Sequence, residues 1–453
     1  MTEAADATDV LVLGAGVSGL AAAARVAQAG CSVRVLEARD RVGGRILTRR
    51  GGRWPMPVEL GAEFVQGRVR ALLTLAQQAG LPIVELDGAR WQSRSGQLVR
   101  ADDFAAPVEK ILSRLPHARS NADQSLEQVL ASYGADESLA EAADLTRSWT
   151  ESYDAADPRR LSLQSLARER RAEREIEGDR VFRLVTGYDG IPRALRARIP
   201  PDRGQVHLET VANEVHWEPG AVAVDARGPL AAGRGSFRAR RLLVALPLAA
   251  LRAAPGETAA LRFAPPLSDK EHALHGLEMG NVVKLVFALQ ERIWERAFPD
   301  ELGFLFADGE PFRGWWTGYP VYEPVLVAWA GGPAADALSG LSTDERVDRA
   351  LESLARLLHE PRAAIDRQIV AWDGHDWGAD PFAGGAYSYV RVGGMPAQGV
   401  LASPVENTLF FAGEATEQAG HQATVHGALF AGERAADEVL HGLGLAERQR
   451  SPA

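Results

Sequence analysis

Val10-Leu11-Val12-Leu13-Gly14-Ala15-Gly16-Val17-Ser18-Gly19 is a short apolar run that stops on a glycine turn and continues into an alanine-rich stretch ending at Ala29-Gly30. The run has the character of a buried strand, and the alanine-rich stretch that of a helix stopped by Gly30. A second strand, Val33 to Leu36, ends on the acidic Glu37. Strand, glycine turn, helix, strand and acid form a dinucleotide-binding unit, with Glu37 about 20 residues past the glycines, where it can hold a ribose hydroxyl. Of the three glycines, one permits the tight turn, one lets the backbone approach a pyrophosphate, and one lets the helix pack closely on the strand. The phosphate then meets the positive helix N-terminus. NAD and FAD both remain open at this point.

At 453 residues the chain exceeds a usual single domain, so two domains are expected. Apolar residues at 46% and charged residues at 24% disfavour disorder, collagen-like repeats and disulfide scaffolds. A net charge of −10 argues against a nucleic-acid binder and suits a cationic substrate. The one cysteine, Cys31, excludes an internal disulfide and a thiolate metal site; no metal is expected, and the cytoplasm fits. Met1 to Asp9 is acidic, with no basic n-region, the tail Glu447 to Ala453 is polar, and no apolar run reaches about 18 residues. Neither a secretory signal nor a membrane anchor is expected.

Arg70 to Tyr153 reads as helical, and Arg159 to Arg183 as a charge-rich helix with a solvated face. Strand patterns return at Val206–Leu208, Val222–Val224 and Leu242–Leu246, the last closed by Pro247, and a mixed region follows to about Ile369. With no internal repeat or low-complexity linker, two interleaved domains are expected: residues 1–70, 185–255 and 370–453 in one, 71–184 and 256–369 in the other.

Further blocks narrow the chemistry. Glu37-Ala38-Arg39-Asp40-Arg41-Val42-Gly43-Gly44-Arg45 follows the second strand at once. Gly43 and Gly44 let the chain pass close to a second section of cofactor, and Arg39 and Arg45 supply charge near the pyrophosphate. Near the C-terminus, Leu409-Phe410-Phe411-Ala412-Gly413-Glu414 delivers an acid to a turn, and a helix starts near Thr424-Val425 with small residues at Gly427, Ala428, Ala431 and Gly432, so something packs closely against it. Lys284 stands inside the apolar strand Val282–Phe287, an expensive position unless the ammonium has a partner or works near its neutral form.

Together these blocks resemble the flavin-containing amine oxidase family, which includes monoamine oxidases, polyamine oxidases and lysine-specific histone demethylases; their wording is nearest the polyamine oxidases. The resemblance implies an α/β fold: a glutathione-reductase-type, Rossmann-like FAD-binding domain interleaved with an α+β substrate-binding domain. It implies FAD bound by Gly14, Gly16, Gly19, Glu37, Ala38, Arg39, Gly43, Gly44, Arg45, Gly61, Ala62, Glu63, Val211, Trp377, Gly413, Glu414, Thr424 and Val425. The attachment should be non-covalent, because Ala386 stands where monoamine oxidases carry a cysteine bonded to the flavin. Positive charge at the N-terminus of the Thr424 helix suits the N1 and C2 carbonyl edge of a flavin.

The block Val58 to Gly67 is similar to the family's stretch along the flavin, with Gln66 where many relatives have His or Glu. Glu63, Gln66 and Tyr387 are the expected substrate pocket, Glu63 being the candidate acid for a polyamine. Tyr387 would face the substrate, while Thr424 stands where monoamine oxidases have the second tyrosine of an aromatic sandwich, leaving one wall. Lys284 would reach flavin N5 through a water and assist reoxidation. Lys284, Tyr387 and Thr424 are thus the catalytic candidates, with His375, His421 and His426 structural. The implied reaction is hydride transfer from a neutral amine to N5, hydrolysis of the imine, and reduction of O2 to H2O2. The alternatives are an L-amino acid oxidase, a monoamine or cyclic-amine oxidase, a flavin desaturase, or a non-catalytic FAD-binding module; a chromatin demethylase lacks a coiled-coil tower and a basic tail here. Expected partners are a small amine and O2, with no nucleic acid or membrane, and a homodimer left open.

Overall fold

Val10, Leu11 and Val12 are wholly buried because both faces of their strand are covered, which is what a continuous apolar run in a parallel sheet requires. The architecture comes from a computed structural model that describes residues 8–445 apart from 95, 102–104, 114–122, 134–136, 229–234 and 299. The acidic residues Glu3 and Asp6 and the tail from Glu447 lie outside the described residues. Thr8–Leu13 is central: Leu13 is in register with Leu36 on one side and Val244 on the other, and Val244 with Phe411 beyond, all parallel. Gly204–His207 adds in parallel to Val33–Leu36, and an antiparallel pair, Val211–Glu218 and Ala221–Arg227, extends the other side. The helix Val17–Gln28 lies against the C-terminal helix Val425–Gly442. A Cβ on Gly432 would stand 2.3 Å from the Ser18 carbonyl oxygen, which explains the small residues of that helix.

The second sheet has seven strands, in the order Ile369–Asp376, Val282–Leu289, Val325–Gly331, Gly314–Thr317, Leu302–Ala307, Ala89–Arg94 and Gln97–Arg100. Every residue of Val282–Leu289 is buried, Lys284 included, so this lysine is on an interior strand and not on a solvent-facing edge. The α/β expectation holds, and the sheets draw on interleaved parts of the chain. Ile369–Asp376 pairs into the second sheet and Arg262–Ala264 into the first.

The stretch from Arg70 to Tyr153 is not all helical. It holds the strands Ile83–Glu85, Ala89–Arg94 and Gln97–Arg100, two of which find partners more than 90 residues away; such pairing overrides local propensity. The charge-rich helix is shorter than expected, Leu163–Glu175, followed by the strand Val181–Leu184, and its face is not simply solvated, since Arg170 is buried. Among the described residues no helix is long and apolar enough to cross a membrane.

Candidate active site

The glycine turn is built for a close neighbour. Gly14 has φ +96°, and a Cβ there would meet the Ala245 carbonyl oxygen at 2.8 Å; one on Gly19 would lie 2.0 Å from the Gly14 oxygen. A Cβ on Gly16 would meet nothing within 4 Å, because that side opens on a cavity. Gly16 caps the helix Val17–Gln28 without a side chain, which leaves the first N–H groups of the helix available to an anion. Glu37 braces the turn: its carboxylate accepts the Ala15 N–H at 2.7 Å and the Arg39 N–H at 2.9 Å, and burial pushes its carboxyl up. Gly43, at φ +110°, donates its N–H to the Ala15 carbonyl at 2.8 Å, so the second glycine pair passes directly beside the first turn.

Arg39 donates to Asp380 at 2.6 Å, and His375 Nε2 meets the other oxygen of that carboxylate at 2.9 Å. Burial works to raise Asp380, but these two partners and backbone N–H groups outweigh it and hold the carboxyl well below its usual range. Arg45 donates to the Ala386 carbonyl and to Glu414, each at 2.8 Å. Glu414 also accepts the Ser388 hydroxyl at 2.6 Å and the Ala423 N–H at 3.1 Å. Thr424 caps the C-terminal helix, accepting the Gly427 N–H at 2.9 Å while its hydroxyl donates to the His421 carbonyl at 2.7 Å. Burial, with His421 adding to it, pushes His426 down to about 3, so that ring is neutral. Gly61 and Ala62 form a rail: a Cβ on Gly61 would lie 2.0 Å from the Arg45 oxygen, Ala62 donates to the same oxygen at 3.1 Å, and Trp377 Nε1 donates to the Leu60 carbonyl at 3.0 Å.

One cavity of about 700 Å³ runs from Gly14 and Gly16 past Ala38, Val211, Gly413, Glu414 and Val425 to Lys284 and Tyr387. Lys284 donates to Glu63 at 2.6 Å and to the Gly61 carbonyl at 3.2 Å. Beyond it, the Tyr387 hydroxyl donates to the Tyr153 carbonyl at 2.6 Å, and Gln66 Nε2 donates to the Tyr153 hydroxyl at 2.6 Å. Trp149 stacks on the Tyr153 ring at 4.7 Å. On the same wall Arg170 reaches Asp154 at 3.3 Å and Glu173 at 2.7 Å, while Glu169 accepts the Ser165 hydroxyl and the Gln422 amide. Burial pushes the Asp154 and Glu169 carboxyls up.

A bare helix N-terminus at Gly16, the open side of that glycine, and cations and acids braced along one elongated cavity fit a flavin dinucleotide. The profile of flavin containing amine oxidoreductases matches residues 17–440. The chain belongs to that family. FAD is its cofactor. Polyamine oxidase 1 of Oryza sativa subsp. japonica is 30% identical over 511 residues, covering 95% of this chain and 96% of its own length. Lysine-specific histone demethylase 1 homolog 3 of Arabidopsis thaliana is 28% identical over 97% of this chain. The chain spans 30% of that protein's length, and 57% and 58% of two further demethylase homologues. Among solved structures, putrescine oxidase bound to putrescine superposes with a TM-score of 0.79 at 24% identity, covering 96% of this chain and 99% of that one. Cyclohexylamine oxidase from Brevibacterium oxydans IH-35A gives 0.80 at 21%, covering 97% and 100%. Both show the fold.

In this amine oxidoreductase the residues expected at the cofactor, all but Gly19, line this one cavity, and two expected side chains are engaged elsewhere. Thr424 reaches the cavity, but both hydrogen-bonding capacities of its hydroxyl are engaged in the helix cap. Glu63 is in place but has both oxygens in ion pairs, so it is not a free acid for a polyamine. Sequence reasoning missed Trp149, Tyr153, Asp154, Glu169 and Arg170. The signal available was the i, i+4 spacing of Trp149 and Tyr153, which lays two aromatic rings on one helix face leading into an acid.

Proposed function

We propose that this chain oxidises small amines carrying a second nitrogen, diamines and polyamines above all, at non-covalently bound FAD. One observation carries the reading: Asp154, Glu169 and Glu173 gather around the Arg170 guanidinium on a cavity wall shared with Tyr153 and Tyr387. Burial pushes Asp154 up to about 6 and Glu169 up to about 8, so these carboxyls are short of counter-charge, and a ligand ammonium beside them would favour their ionised forms. The polyamine oxidase and putrescine oxidase similarities agree with this substrate class.

The chemistry that FAD supplies when bound is a two-electron sink for the hydride of the amine α-carbon, with O2 as the final acceptor to give H2O2 and water hydrolysing the imine. The chain's own groups bind and orient. Tyr387 presents its ring with the hydroxyl tied to the Tyr153 carbonyl, and burial keeps that hydroxyl protonated. Trp149 and Tyr153 stand where a second aromatic wall is needed, and Trp316 and Trp329 help keep water out. Lys284 holds a proton donor beside the reacting end and assists reoxidation. Thr424 fixes the positive helix terminus through its cap.

An amino acid oxidase would need a cation free for the substrate carboxylate. Arg39, Arg45, Arg170, Arg183 and Arg313 line or flank the cavity and are each paired with an acid, which leaves Arg90 and Arg174, also on the lining, as the cations such a carboxylate would have to use. The cytoplasm remains the proposed location, on cysteine usage alone. Anaerobic titration of the holoprotein with putrescine, spermidine, tyramine and amino acids tests the reading. The diamine and triamine should bleach the flavin bands fastest; bleaching by amino acids with none by diamines would reject it.

A further inference from the structure

Glu63, Lys284 and Arg183 form a buried triad that no single stretch of sequence discloses. Glu63 Oε2 accepts from Lys284 Nζ at 2.6 Å and Oε1 from Arg183 Nη2 at 2.7 Å, with side-chain exposures of 8%, 1% and 5%. The three residues come from separate elements. Glu63 directly precedes the strand Phe64–Gln66, Arg183 lies on the strand Val181–Leu184 that pairs with it, and Lys284 sits on the interior strand of the seven-stranded sheet. Arg183 is itself fixed by the Thr317 and Tyr319 carbonyls, each at 3.1 Å.

A lysine this deeply buried sheds its proton unless a counter-charge is at hand. Burial works to raise Glu63, but Lys284 and Arg183 outweigh it and hold the carboxyl below its usual range, so Glu63 supplies that charge. The other acid nearby, Glu59, commits its oxygens to the Thr48 hydroxyl and the Tyr188 N–H, each at 2.7 Å. With Glu63 and the Gly61 carbonyl taking two ammonium N–H groups, one N–H is left to the cavity that Lys284 lines.

We propose that Glu63, steadied by Arg183, is a positioning residue for Lys284, fixing its amine with one N–H left to the cavity. Its kinetic consequence rests on the proposed oxidase reading, through the part Lys284 plays in reoxidation; its structural consequence does not.

The chain contains three lysines, Lys110, Lys270 and Lys284, so the holoprotein labelled with 15N-lysine gives three Nζ signals, and Lys284→Met identifies one of them. The Lys284 signal should move in Glu63→Gln, whose amide no longer holds the amine as the carboxylate does. An unmoved signal overturns the proposal. In dithionite-reduced holoprotein, reoxidation by O2 should slow about tenfold in Glu63→Gln and in Lys284→Met, and no further in the double variant. Additive losses overturn it as well. Should Glu63→Gln not fold, Glu63→Asp keeps the charge with a shorter reach: a moved signal with slowed reoxidation supports the proposal, and a parent-like signal with parent-like reoxidation refutes it. Neither measurement uses an amine substrate, so a protein that no amine bleaches would reject the oxidase reading alone.

Discussion

Arg45 and Glu414 join the two ends of the chain: one Arg45 nitrogen donates at 2.8 Å both to Glu414 and to the Ala386 carbonyl. The acid's other oxygen gathers the Ser388 hydroxyl and the Ala423 N–H, so four segments meet at one ion pair. Glu414 is 4% exposed, and removing its cation strands a buried charge. Arg45→Met should therefore cost on the order of 3 kcal/mol in urea unfolding and release FAD on gel filtration, whereas Arg45→Lys should recover part of both. Unchanged unfolding in Arg45→Met would show that the pair is only incidental.

Gly16 and Gly19 separate folding from cofactor binding. The Cα of Gly16 is open toward the cavity, while a Cβ on Gly19 collides with the Gly14 backbone. Gly16→Val should fold with nearly the parent circular dichroism but remain colourless when FAD is supplied. Gly19→Val should fail to accumulate as folded protein. A yellow, active Gly16→Val would remove the glycine turn from the flavin site.

The same contrast explains how much could be read from sequence. The unit Thr8–Leu36 is legible because its turn, helix and acid are close in sequence and each demands a particular residue type. Glu37 and Glu414 follow, since each ends an apolar strand. Asp154, just past a helix end, and Glu169 and Arg170, on a helix, do not: a charged residue there looks the same in sequence whether it meets water or, as at Glu169 and Gln422, another loop. The triad at Lys284 is hidden for a related reason, because its partners at 63 and 183 are brought in by strand pairing over more than 100 residues.

Asp154 is expected to read the second nitrogen of the substrate. Asp154→Asn should raise KM for putrescine by about tenfold, equivalent to about 1.4 kcal/mol, and leave KM for a monoamine such as tyramine nearly unchanged. Steady-state peroxide assays on both amines check this. Equal losses on the two substrates would mean that Asp154 only holds Arg170 in place.

Glu59 makes stability depend on pH with a defined sign. Burial pushes its carboxyl up to about 7, against the Tyr188 N–H and the Thr48 hydroxyl, which favour the charged form. The folded chain thus keeps a proton that the unfolded chain releases near 4.5. Below 4.5 both states are protonated and the contribution is fully present; as pH rises from there to about 7 the folded state must hold or lose that proton at a cost, so stability falls by up to about 1.4 kcal/mol per pH unit. Glu59→Gln removes the ionisation while its amide oxygen still accepts the Tyr188 N–H; the changed contact with the Thr48 hydroxyl adds an offset that does not vary with pH. The difference in unfolding free energy between parent and variant, measured in urea at several pH values from 5 to 8, should move against the parent up to about pH 7 and level off above it. A difference that stays flat across that window would mean that Glu59 is ionised in the folded protein.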